Sequence, residues 1–140
     1  ETLPYSSEWK NVFSNLENET ALVFQQIHVE YGFYLGDLVK IFVQKHGISP
    51  DFVASHGHTI FHANFDTHVY KKHNGENYNK RLTVQIGAGA AITAACGLTT
   101  VCDFRTTDVA LGGQGAPLVP IGDRLLFSEY DFCLNLGGFA

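Results

Sequence analysis

The 140 residues, 45% of them apolar and 16% charged, suit one ordinary globular domain with a hydrophobic core. Nine Lys and Arg against fourteen Asp and Glu leave a net charge of −5 with no basic run to offset it, which excludes a nucleic-acid partner. No apolar stretch reaches the ~18 residues of a membrane span, so no membrane partner is expected.

In chain order, Ser6 or Ser7 is placed to cap a short helix from Glu8 to about Leu16. From Glu19 to His46, apolar residues at Leu22, Val23, Ile27, Phe33, Leu38, Ile41 and Phe42 follow the helical period. Gly32 and Gly36 weaken its middle, at about 1 kcal/mol each against Ala, so the stretch reads as one helix or two. Gly47 with Pro50 beyond it stops the pattern. The second half alternates: a strand over Phe52–Ser55 ending in Gly57, and Thr59–His62 continuing it or returning as a hairpin. A polar turn over Lys71–Lys80 with Asn74-Gly75 precedes a strand over Leu82–Ile86. A helix over Ala90–Cys96 closed by Gly97 and a strand over Thr99–Cys102 come next. A long loop is expected over Asp103–Ala116, then a helix with Pro117 in its first turn reaching Phe127, then a last strand over Phe132–Leu136. The fold class is therefore α/β with part of its sheet parallel, mainly helical over 1–48 and α/β over 51–140.

Cys96, Cys102 and Cys133 are odd in number and lack CxxC spacing, against a disulfide framework or zinc knuckle and in favour of a reducing compartment. Their apolar neighbours predict buried, inert thiols. The chain contains no Met, so translation is expected to start upstream of Glu1, and the strand and Gly137-Gly138 turn before Ala140 lead into nothing. The expectation is one partial domain of a longer protein.

Four constellations could carry chemistry. Asp103-Phe104-Arg105-Thr106-Thr107-Asp108 followed by Gly112-Gly113-Gln114-Gly115-Ala116-Pro117 begins where a strand ends, the edge at which α/β sheets bind ligands. There Arg105 offers a planar fork of donors, Asp108 an acceptor for sugar hydroxyls, Gln114 a neutral donor and acceptor, and the glycines close backbone approach. The plain alternative is a glycine-bent surface loop whose Arg and Asp pair with each other. Gly87-Ala88-Gly89-Ala90-Ala91-Ile92, with Asp103 downstream, partly imitates a dinucleotide fingerprint, but Ile92 stands where the third glycine belongs. Small residues there serve equally to pack a helix on a strand. His56, His58 and His62 would share one face of an extended strand and could hold zinc, though no fourth ligand stands among them. Asp123 and Arg124 read as a solvated face or an end-of-helix pair, and Trp9 with the aromatics from Phe24 to Phe42 as core or partner-facing surface.

Taken together, Ser55-His56-Gly57-His58-Thr59-Ile60, Thr83-Val84-Gln85-Ile86-Gly87, Val101 through Ala110, Gly112 through Pro120 and Asn135-Leu136-Gly137-Gly138-Phe139 occur in one order. In that order they closely resemble the anhydro-N-acetylmuramic acid kinase family of the actin–hexokinase superfamily. The resemblance is dense over 51–140 and thin over the helical first half. It implies a cytoplasmic kinase of cell-wall recycling that uses ATP and magnesium to open and phosphorylate 1,6-anhydro-N-acetylmuramic acid, with an actin-like (ribonuclease H-like) lobe. It also implies that Ser55, His56, Gly57, Arg105, Asp108, Gly113, Gln114 and Gly115 line the sugar side of a cleft.

The family's N-terminal phosphate loop and its catalytic Asp in an Asp-x-Gly-Pro-Gly-Asn setting are missing from these residues. No catalytic or metal-binding residue is therefore assigned, and the chain alone is expected to be inactive without those segments. A homodimer is compatible with the resemblance. His58 stands where the family usually has Gln, and Ala88 where it usually has Asp or Asn, changes that could alter the sugar preference. A dinucleotide-binding domain built on Gly87 and Gly89, and a non-catalytic kinase relic, remain as alternatives.

Overall fold

The computed structural model describes residues 1–63 and 81–134. Helix α1 (Ser7–Asn15) opens on Ser6, whose hydroxyl accepts the Trp9 amide N–H at 3.2 Å, satisfying one of the donors a helix start leaves over. A single 3₁₀ turn, Leu16–Asn18, leads to α2 (Ala21–His46), capped by the Thr20 hydroxyl and closed by Gly47 at φ 60°.

Helix α2 runs unbroken for 26 residues, so the two-helix alternative is corrected. Its glycines explain why. A Cβ on Gly32 would lie 2.6 Å from the Ala88 oxygen and 2.8 Å from the Ala91 Cβ, and one on Gly36 would lie 2.7 Å from the Ile92 oxygen. These are the points where α3 (Gly89–Cys96) presses its backbone against α2. The propensity cost of each glycine is offset by an approach that no other residue permits.

Two small sheets lie beside these helices. Strand β1 (Phe52–Ala54) pairs in parallel with β4 (Thr99–Val101), and the Ser55 amide continues the pairing by donating to the Val101 oxygen at 2.9 Å. Strand β2 (His58–Ala63) pairs antiparallel with β3 (Leu82–Ile86), with an irregularity between Thr59 and Phe61. The chain after β1 therefore neither prolongs that strand nor folds back on it. Gly57, at φ 71°, turns it into the second sheet. The parallel pair requires a long crossover, which β2, β3 and α3 supply.

The core gathers Leu16, Tyr31 and Ile86, with Tyr5, Trp9, Phe13 and Phe24 packed against them. The Tyr5 and Tyr31 hydroxyls share a 2.6 Å hydrogen bond, and burial, aided by that bond, holds the Tyr31 phenol far above its ordinary pKa. Ala91 and Ile92 of α3 are also buried.

Beyond β4 the expected loop is corrected, because residues Phe104–Ala110 form a short helix, α4. Its start is concealed in the sequence, since Asp103 enters it in the left-handed region at φ 61° and supplies no capping hydrogen bond. Helix α5 (Val119–Leu126) carries its early proline at Pro120 rather than Pro117, which follows Ala116 through a cis peptide bond. Arg124 lies in the last turn of α5. Phe132 and Leu134 are 93% and 84% exposed and form no strand, which corrects the described part of the last expected strand. The expected turn over 71–80 and the segment from 135 onward lie outside the described residues. Among the described residues, no helix is long and apolar enough to cross a membrane.

Candidate functional site

Loop 55–57 leaves β1, α4 leaves β4, and the glycine loop 112–115 follows α4, so the sequence-predicted residues begin at the carboxyl ends of paired parallel strands. The structure joins them through α4. Arg105 and Asp108, one turn apart, face the same way and seize the two backbone groups of Gly115. The Arg105 Nη1 donates to the Gly115 oxygen, and the Gly115 amide donates to the Asp108 Oδ2 at 2.7 Å. Within the same turn the Gly113 amide bonds the Asp108 backbone oxygen at 2.8 Å.

Glycine is required here for two different reasons. Gly115 is buried at φ 72°, a conformation that side chains resist, and a Cβ on it would meet Val109 Cγ2 at 2.9 Å. Gly113 has an ordinary φ, but the Asp108 carboxylate occupies the space a Cβ would need.

Arg105 also reaches across to the first loop. Its Nε–H donates to His56 Nε2 at 2.6 Å, while His56 Nδ1 lies 3.0 Å from the Gly57 oxygen. A guanidinium has only donors and a carbonyl only acceptors, so the imidazole is neutral with its proton on Nδ1. One arginine thus ties three chain segments into a rim. Two of the five N–H donors a guanidinium carries are engaged this way.

The other predicted residues take lesser parts. Gln114 is exposed, and neither its side chain nor that of Ser55 makes a hydrogen bond among the described residues. The Asp108 carboxylate holds the glycine loop through Oδ2. Sequence reasoning missed Arg81, whose Nη1 donates to the Gly113 oxygen at 3.3 Å from just ahead of β3. Its only sequence signal is a cation, next to Lys80, at the mouth of a strand.

The histidine cluster separates. His56 faces Arg105, His62 Nδ1 lies 3.3 Å from the Thr83 hydroxyl, and His58 stacks on Phe13 with ring centroids 4.3 Å apart. Burial, then the neighbouring His56, lowers the His58 pKa. Among the described residues, no group of three or more His, Cys, Asp or Glu is placed to hold a metal.

The Gly87–Gly89 turn is spent on packing. A Cβ on Gly89 would lie 2.7 Å from Cys102 Sγ, and the Ala88 amide, at the mouth of α3, donates to the His28 oxygen at 3.0 Å. These residues do not fit a pyrophosphate. The Cys102 thiol, raised in pKa by burial and by Asp103, lies 3.5 Å from the Asp103 carboxylate, while Cys133 is exposed rather than buried as expected.

Beside the rim runs an apolar cleft of about 510 Å³ between α2 and β1, walled by Leu38, Val39, Phe42 and Phe52 and reaching Ser55 and His56 at its polar end. Phe52 is 56% exposed along it.

Comparison with known proteins adds what geometry does not. The family model described as "Anhydro-N-acetylmuramic acid kinase" matches residues 1–140. A protein of that name from Pseudoalteromonas translucida is 38% identical over 146 residues, covering 97% of this chain and 34% of the relative. Another of that name, from Caldanaerobacter subterraneus subsp. tengcongensis, is 38% identical over 153 residues, covering 100% of this chain and 36% of the relative. One from Acidithiobacillus ferrooxidans reaches 48% over 92 residues, with 64% of this chain and 20% of the relative covered. The chain spans about a third of the length of the first two.

Proposed function

The chain belongs to the anhydro-N-acetylmuramic acid kinase family, and from that premise we propose that it supplies the sugar-side rim of an ATP-dependent kinase. The substrate is 1,6-anhydro-N-acetylmuramic acid, opened by water and phosphorylated in one active site of an actin-like fold. The observation that carries the reading is the Arg105 bracket, which ties the 55–57 loop, α4 and the glycine loop together at strand ends.

A sugar offers hydroxyls and ring oxygens, and the rim presents matching groups: the Arg105 N–H groups that no bond among the described residues engages, the exposed Gln114 amide and the glycine-loop backbone. Phosphoryl transfer depends chiefly on alignment of nucleophile and phosphate, so a rim that fixes the sugar within tenths of an ångström contributes directly to rate. Asp108 serves that end by shaping the loop, and Arg105 by touching the sugar.

We assign the nucleotide, its metal and the catalytic base to segments of such a kinase other than these residues. The apolar cleft beside β1 and the exposed Ile121, Leu125 and Leu126 of α5 are where we place contacts with those segments or with a second copy. The role in recycling places the protein in the cytoplasm.

The test is sugar-dependent ADP release. A full-length polypeptide carrying this chain turns over 1,6-anhydro-N-acetylmuramic acid, the 140-residue chain by itself does not, and Arg105→Ala in the full-length protein raises the sugar KM at least tenfold. Full-length protein that binds ATP yet ignores the sugar would instead establish a non-catalytic relic.

A further inference from the structure

We infer that His56 is a positioning residue that acts through Arg105, a role that rests on the sugar-kinase reading above. The argument is one of donors and acceptors. The Arg105 Nε–H points at His56 Nε2 across 2.6 Å, and that nitrogen accepts only when the ring proton sits on Nδ1. The Gly57 oxygen, 3.0 Å from Nδ1, selects that tautomer because a carbonyl rewards only a donor.

Gly57 is itself fixed. It stands at φ 71° in the turn between the two sheets, and a Cβ there would collide with the Ile86 oxygen at the end of β3. A chain of constraints therefore runs from the buried end of β3, through a backbone carbonyl and an imidazole, to the guanidinium. With Nε held by His56 and Nη1 by the Gly115 oxygen, the plane of the guanidinium is set from both sides. Its remaining N–H groups are fixed in that plane. His56 thus orients the group that meets the sugar without meeting the sugar itself, which explains an exposed histidine whose two nitrogens both face inward to the protein.

Two measurements test this. Nitrogen-15 NMR of the full-length polypeptide, labelled at His and Arg, reports an Nδ1–H tautomer for His56 and a scalar coupling across the bond between its Nε2 and the Arg105 Nε. An Nε2–H tautomer, or an imidazolium at neutral pH, overturns the inference whatever the enzyme does.

Kinetics supply the second arm. His56→Leu lowers kcat/KM by about 10²-fold, the scale of a misplaced positioning group. His56→Gln, whose amide oxygen reaches the same donor, stays within a few-fold of wild type. In an Arg105→Ala background, His56→Leu costs nothing further. Additive losses in that cycle, or a failed rescue by Gln in a protein that folds normally, would show a role independent of Arg105 and sink the proposal. Wild-type protein without sugar turnover would remove the kinase reading instead, and the NMR arm would still decide the His56–Arg105 bond.

Discussion

The seam between α2 and α3 and the rim around α4 both depend on glycine, and they depend on it for opposite reasons. At the seam, Gly32 and Gly36 have helical backbones that any residue could adopt, and glycine is present because Ala88, Ala91, Ile92 and Ala95 leave no room. At the rim, Gly115 is set by its positive φ and Gly113 by a carboxylate that holds the neighbouring amide. The seam is joined by apolar contact and the rim by charge-assisted hydrogen bonds. Damage to the first should appear as lost stability, and damage to the second as lost ligand affinity in a protein that still folds.

The largest effect separating the two comes from Gly36→Val. Its Cβ alone would overlap the Ala95 Cβ and the Ile92 oxygen, so the helices must part and the buried Ile92 loses its packing. Overpacking of this kind costs about 3 kcal/mol, read as a lowered urea midpoint at unchanged slope. An unaltered midpoint would mean that the seam is looser than its geometry indicates.

Gly113→Ala is the matching probe of the rim. The added methyl displaces the Asp108 carboxylate from the Gly115 amide, a loss of about 1 kcal/mol in stability on a partly solvated loop. The sugar KM of the full-length protein is expected to rise about tenfold, the equivalent of ~1.4 kcal/mol of binding. A stability loss as large as that of Gly36→Val, with KM unchanged, would erase the distinction between the regions.

Legibility from the sequence divides along the same line. The seam side was readable: Gly47 ended α2, Gly97 closed α3 and Leu82–Ile86 was bounded correctly, because local period and glycine stops act within a few residues. What failed was non-local. Nothing in His58–Ala63 says that it pairs with β3 rather than β1, since pairing is decided across the sheet. Helix α4 was hidden because adjacent β-branched Thr106 and Thr107 and a left-handed Asp103 are poor helix signals, and tertiary bonds from Arg105 and Asp108 outweigh them.

The members of the site were legible as a motif, whereas their parts were not. Asp108 reads on its chemistry as an acceptor for sugar hydroxyls, and only the fold shows that its Oδ2 also accepts a backbone amide.

A smaller effect sharpens the packed side. Tyr5→Phe removes the hydroxyl that shares a 2.6 Å bond with Tyr31, leaving a buried phenol without that partner. The expected cost is about 1 kcal/mol, measured by thermal unfolding, with sugar KM unchanged because the pair belongs to the core and not to the rim.

The smallest effect concerns His58, the residue that stands between the two regions. Its ring lies nearly flat on Phe13, at an interplanar angle of 13°, and burial disfavours the charged imidazolium. The folded pKa is therefore below the ordinary histidine value of 6.5, and between the two values the unfolded chain binds more protons than the folded one. Stability contributed by His58 is complete above pH 6.5 and declines as the pH falls through the folded value. The ring is only half-buried, so solvent screens the charge and the loss is slight beside the other three. Chemical unfolding followed from pH 7.5 to 5 should show a shallow fall that His58→Gln flattens, since Gln has no proton to gain in that window. A fall of equal depth in the variant would assign it to another group. A rise in wild-type stability on acidification would mean that His58 is better accommodated charged, contrary to its place against Phe13.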